Sequence, residues 1–182
     1  MDAILIGILG FIFLLLFDIC SLHSRHVSKY FMLVFGLGSI IYAFIDLLQY
    51  NYMFDNSFIY LPIILIMIIF FMGVLMYSIV IEVGVKTYQA DPEHRLVTTG
   101  TYALVRHPGV IWLLIIFLLT ALYYANLYLL AAGLVWTAIN ICYVIIQEKM
   151  ILEKIFTEYN RYKKETPMII PSFKSIIKFK NQ

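Results

Sequence analysis

Five apolar runs, near residues 3–20, 30–48, 58–81, 108–125 and 127–146, organise this 182-residue chain. A helix needs roughly 20 apolar residues to cross a hydrocarbon core, so each run reads as a transmembrane span. The third is long enough to tilt. The fourth and fifth touch at Ala125-Asn126. Taken as one helix they would approach twice the bilayer thickness, so the pattern predicts a tight helical hairpin instead. Beyond the fifth run the periodicity changes. Ile151, Leu152, Ile155, Phe156, Tyr159 and Tyr162 recur at helical spacing, with Glu153, Lys154, Glu158, Arg161 and Lys163 on the other face. This spacing predicts one amphipathic helix over about 147–165, stopped by Thr166-Pro167. The expected fold is all-α: a polytopic membrane protein of about five transmembrane helices plus a cytoplasmic amphipathic C-terminal helix. No repeat or low-complexity tract divides it, so residues 1–182 read as a single integral membrane domain.

Composition agrees with lipid as the solvent. Hydrophobic residues make up 63% and charged residues 13% of the chain, against roughly 45–50% and about 25% in soluble domains. Cys20 and Cys142 lie far apart inside apolar runs, which reads as two buried small hydrophobes, with neither a disulfide framework nor metal-ligand spacing. A net charge of +2 gives no reason to expect nucleic acid. The first run starts at Ala3 with no basic segment before it, so it reads as a retained span and not a cleaved signal.

Basic residues then orient the bundle, because cytoplasmic loops collect Lys and Arg. Arg25 and Lys29 fall in the first loop, Lys86, Arg95 and Arg106 in the third, and the other eight from Lys149 to Lys180 follow the fifth run. All 13 therefore share one side of a five-span arrangement. The expected location is the bacterial cytoplasmic membrane, with the N-terminus outside and the C-terminus cytoplasmic. Asp18 and Glu82 fall near the inner ends of spans one and three, as wetted interfacial carboxylates or as functional intramembrane acids. Asp46 belongs near the outer end of span two. Lys174 to Lys180 read as a basic tail near anionic lipid.

The densest polar chemistry lies in the third loop, His94 to Gly109, which holds two of the four histidines, two arginines, two glycines and a proline. Within it, Leu96-Val97-Thr98-Thr99-Gly100-x-Tyr102-x-x-x-Arg106-His107-Pro108 resembles the core motif of the isoprenylcysteine carboxyl methyltransferase and phospholipid methyltransferase superfamily. The likeness continues through an acidic position after the last span, Glu158-Tyr159-x-x-Tyr162 and Pro167-x-x-x-Pro171, covering about 85–172. It implies S-adenosyl-L-methionine bound without a Rossmann domain, and the chain has no G-x-G-x-x-G. The implied cofactor pocket takes His94, Arg95, Leu96, Val97, Tyr102, His107, Pro108, Gly109 and Val110 from the loop and the start of span four. Gln147 or Glu148 supplies the acidic site, and Arg106 and His107 are the implied catalytic residues. No metal is expected.

Those residue types suit the cofactor, whose cationic parts match aromatic faces and a carboxylate such as Tyr102 and Glu148. A carboxylate acceptor needs no general base; an amine does, and His107 is the candidate. Three departures bear on the substrate. Family members commonly read Arg-His-Pro-x-Tyr-x-Gly, where this chain has Val110 and Trp112 at the last two places. They carry paired acids after the last span, where this chain has Gln147-Glu148. The arginine that grips a prenylcysteine carboxylate maps onto Tyr143. The expected substrate is a lipid-like or isoprenylcysteine-type amphiphile entering between the spans, and the departures favour the lipid. Steroid-reductase-like NADPH enzymes also carry His-Pro before a late span, but with Asn- and Arg-rich stretches that are lacking here. A non-catalytic protein retaining the scaffold is the third reading.

Overall fold

The computed structural model describes residues 2–23, 29–49, 60–85 and 96–181. Helix α1 is Asp2–His23 and α2 is Lys29–Leu48. Helix α3, Leu61–Met76, has a proline in its first turn and widens without a break into a π-helical stretch, Tyr77–Val85. A single turn, α4, covers Thr101–Leu104. Helix α5, Pro108–Tyr123, again starts on proline, where the missing N–H is an unpaired one in any case. Helix α6, Leu127–Gln147, passes through a second π-helical stretch, Glu148–Leu152, into the short α7, Glu153–Ile155. Two short helices follow, α8 (Tyr159–Glu165) and α9 (Phe173–Lys180). No strand occurs among the described residues.

Among the described residues, four stretches, Asp2–Ser21, Lys29–Leu48, Leu61–Val83 and Leu127–Ile155, are long and apolar enough to cross a membrane. Helix α5 is as apolar but has only 16 residues. The helices pack in the order α2, α1, α6, α5, α3. At the centre sits Trp136, fully buried among Ala3, Phe11, Leu129 and Ala132, with the Phe117 ring edge-on at 5.5 Å. Its indole N–H donates to the Ile4 carbonyl at 3.0 Å. Gly7 makes this possible, because a Cβ there would lie 2.2 Å from the indole. The α5–α6 turn is closed by Asn126, which caps α6 through Leu129 N–H at 3.0 Å and donates to the Leu47 carbonyl at 2.8 Å.

The C-terminal part departs from the expected single helix over about 147–165. Phe156 is extended (φ −109°, ψ 111°) and splits the segment between α7 and α8. In a straight helix Tyr159 would stand about 16 Å along the axis from Glu148. The break instead brings its hydroxyl to 2.9 Å from that carboxylate. The basic tail is likewise ordered: Ser172 and Ser175 form a reciprocal capping box that starts α9.

Candidate active site

Each of the two π-helical stretches carries one buried glutamate, and each glutamate ties its helix to the polar segment 96–108. Wide turns of this kind rotate the side chains that follow them and recur at functional sites. Glu148, 4% exposed, collects four donors. Arg106 donates in fork fashion, Nε to Oε1 at 2.7 Å and Nη2 to Oε2 at 3.1 Å. The Tyr159 hydroxyl and the His107 ring Nε2 both reach Oε1 at 2.9 Å. Charge-assisted, forked bonds of this type are the strong ones. Arg106 turns its third nitrogen, Nη1, to the carbonyls of Thr166 at 2.6 Å and Lys163 at 3.2 Å. The neighbouring backbone closes the same seam, with Arg106 N–H donating to Pro167 at 2.9 Å and His107 N–H to Met168 at 3.0 Å. Burial, with Glu148 beside it, pushes the Tyr159 phenol well above its ordinary range, so it stays a donor.

Glu82, 1% exposed, holds the other end of the segment. Its Oε1 accepts the Thr101 N–H at 2.9 Å, and its Oε2 accepts the Thr101 hydroxyl. The Ser78 hydroxyl meets that of Thr101 at 3.2 Å. A carboxylate at the first turn of α4 satisfies an open N–H there. Gly100 sits at φ +63°, and a Cβ on it would collide with the Glu82 carboxylate at 1.6 Å. The glycine of the Thr-Thr-Gly motif is thus explained by the acid above it. Tyr102 is positioned from both sides: the Tyr162 hydroxyl donates to its carbonyl at 2.7 Å, and burial raises its own phenol.

Asp18 forms a third cluster. Its Oδ2 accepts from the Tyr143 hydroxyl at 2.5 Å and from Gln147 Nε2 at 2.8 Å, which links α1 to α6. Of the two readings left open for Asp18 and Glu82, Glu82 is buried and fully engaged, whereas Asp18 is half-buried.

Two cavities flank these clusters. One, of about 220 Å³, is walled by Leu96, Val97, Tyr102, Arg106, His107 and Gln147, and closed by Val83, Leu152, Phe156, Tyr159 and Tyr162. The other, of about 450 Å³, runs between α1, α2, α3, α5 and α6 and is mostly apolar, with Tyr102, His107, Asn140, Tyr143 and Gln147 as its polar points. Tyr102, His107 and Gln147 line both.

The expected site residues fall into groups. Leu96, Val97, Tyr102, His107 and Gln147 come together on the smaller cavity. Pro108, Gly109 and Val110 line the larger one instead. Glu148 lies behind the wall, fastening Arg106 and His107. Arg106 has each of its guanidinium nitrogens bonded within the protein, so it braces the site. His94 and Arg95 lie outside the described residues. Trp112 stacks on Phe71 of α3 at 6.0 Å, away from either cavity. The site set expected from sequence did not name Phe156, Tyr159 and Tyr162, though all three stood on the apolar face of the helix expected after the last span, and the Glu158-Tyr159-x-x-Tyr162 motif marked the two tyrosines. The aromatic walls of the smaller cavity are of the kind that can face a sulfonium, but Glu148, expected to meet the cofactor's cationic parts, is instead spent on Arg106 and does not line the cavity.

No curated protein and no solved structure matches the chain significantly. The sequence model of one family does, over residues 58–159, which is more than half of the 182 residues and takes in both buried glutamates, the walls of the smaller cavity except Tyr162, and the Arg106-His107-Pro108 start of α5. An all-helical chain with four membrane-length helices and this match belongs to the phospholipid methyltransferase family, a family of membrane methyltransferases.

Proposed function

We propose that this protein transfers a methyl group from S-adenosyl-L-methionine to a lipid-like acceptor. The observation that carries the reading is the meeting of a small, aromatic-walled cavity with a larger apolar one at Tyr102, His107 and Gln147. A polar cofactor and a membrane amphiphile need such separate approaches to a shared point. When bound, the cofactor supplies a methyl group on a sulfonium centre. Leu96, Val97 and the rings of Tyr102, Phe156, Tyr159 and Tyr162 would hold it, together with His94 and Arg95 as the resemblance implies. Alone, about 220 Å³ falls below the roughly 300 Å³ of ordinary ligand sites, so the ligand would extend toward the shared wall.

The chain's own residues do three things. Aromatic and aliphatic walls exclude water, and the Arg106–Glu148 fork fixes the distance between the start of α5 and the end of α6. His107 presents its ring in one sense. An ionised carboxylate only accepts, so Nε2 must carry the proton given to Glu148, which leaves Nδ1 as the nitrogen able to take one. That serves a protic acceptor such as an amine. A carboxylate acceptor fits less well: no Lys or Arg lines the larger cavity, and Tyr143, at the arginine position of the isoprenylcysteine branch, is turned onto Asp18.

The test is ligand-induced stabilisation of the detergent-purified protein. S-adenosylmethionine or its demethylated product at a hundredfold excess over Kd should add about 2.7 kcal/mol to unfolding. Tyr102→Ala should remove most of that gain. A response to NADPH in its place would transfer the protein to reductase-like chemistry. Indifference to all three ligands would sink both enzymatic readings.

A further inference from the structure

We infer that α9 (Phe173–Lys180) is an interfacial anchor that docks on an anionic lipid surface and presses the site loop into place; this stands apart from the methyltransferase reading. Ile170 and Phe173 are each 81% exposed, more than any apolar residue on the long helices. Lipid accounts for the exposed Phe, Ile and Leu of those helices. It does not automatically account for residues that follow α8, outside every membrane-length stretch.

The geometry of α9 shows which side is spoken for. Ser175 is fully buried, and Lys178 on the same face reaches Glu165 of α8 at 3.3 Å. Through this face α9 packs on α4, the turn that carries Tyr102. At 100° per residue, Phe173, Ile176 and Ile177 fall on the opposite side, and all three are exposed. Lys174 flanks that apolar face and Lys180 ends it, on the same side one turn after Ile176 and Ile177, while 173–180 contains no acid. A short helix with an unpartnered apolar face bordered by lysines matches the headgroup–acyl boundary of a negatively charged leaflet, into which lysine stems reach while their charges stay with phosphate. The capping box at Ser172 satisfies open N–H groups at the start of the helix without any lipid contact. Docking then has a structural consequence, since α9 touches both α4 and α8, the two sides of the Tyr102 seat.

An environment-sensitive nitrobenzoxadiazole label reads this directly. The protein carrying Cys20→Ser and Cys142→Ser, with Ile177→Cys labelled, would be placed in nanodiscs of phosphatidylcholine alone and of phosphatidylcholine with an equal part of phosphatidylglycerol. Emission should be bluer and severalfold brighter in the anionic discs, and should return toward the aqueous value in high salt. A label at Lys164→Cys, on exposed α8, should read water in both. Lys174→Gln with Lys180→Gln should abolish the difference between disc types, and neither change touches the Lys178–Glu165 pair. Aqueous emission from position 177 in both discs would overturn the inference. So would a blue shift that is equal in both discs and indifferent to the lysine changes.

Discussion

Around Trp136 the helices are held by shape, and around Glu148 by charge. The Trp136 hub is made of alanines, a glycine and rings, with one hydrogen bond to Ile4. Its specificity is steric: Gly7 leaves room for an indole and for nothing else. The Glu148 hub is equally buried, yet it is made of four charged or polar donors on one carboxylate. Close packing fails gradually, by a cavity or a displaced helix. A buried ion pair fails abruptly, because losing one member strands the other. The first hub can sit anywhere in a bundle. The second, placed beside the shared cavity wall, also sets the sense of the His107 ring.

The contrast can be broken in order of effect. Glu148→Ala should cost about 3–5 kcal/mol in thermal unfolding, because Arg106 is left buried without its counter-charge. The double change Arg106→Met with Glu148→Leu should recover much of that stability while leaving ligand response abolished. A double variant as unstable as the single one would show that this hub too is held by shape. Tyr159→Phe should cost about 1.5–3 kcal/mol, the value of a hydrogen bond to a charged group. Gly7→Ala should cost about 1–3 kcal/mol by overpacking against Trp136, and that loss should be the same at every pH. Asn126→Ala should cost about 1 kcal/mol, the worth of a helix cap.

Titration separates the hubs further. The Tyr159 and Tyr162 phenols, raised chiefly by burial, ionise in the unfolded chain at the ordinary value of 10.0 but stay neutral when folded. Their raised values favour the folded state fully below that pH, and the contribution is lost as pH climbs through the interval above it. Stability followed by circular dichroism should therefore fall on the alkaline side of 10.0. Tyr159→Phe should blunt the fall, whereas Gly7→Ala should leave its slope unchanged.

The long helices were legible because an apolar run is a local signal, and so was the α5–α6 turn at Ala125-Asn126. The polar segment was legible through its motif, and four of its residues, Leu96, Val97, Tyr102 and His107, line one cavity. The partnerships were not. Arg106 and Glu148 are 42 residues apart, and Tyr143 and Asp18 are 125 apart; no periodicity encodes which donor meets which acid. The break at Phe156 was hidden for a related reason. Apolar residues at helical spacing on 151–162 satisfy a helix whether or not it is continuous, and the bend goes with distant partnerships such as Tyr159 with Glu148 and Tyr162 with Tyr102. Helix α9 was masked by its lysines, since its cap and its single buried serine are weak signals in a charged tail.

The backbone seam in which Arg106 and His107 donate to Pro167 and Met168 also sets an order of assembly. A chain leaves the ribosome N-terminus first. All the membrane-length helices are therefore made before residues 163–168, which satisfy the Arg106 guanidinium and the start of α5. A translation product halted inside α8 would insert its helices and still have no finished wall around His107. Synthesis of residues 163–168 is in this sense the event that closes the wall, and copies truncated before them would leave the Arg106 guanidinium without its carbonyl acceptors.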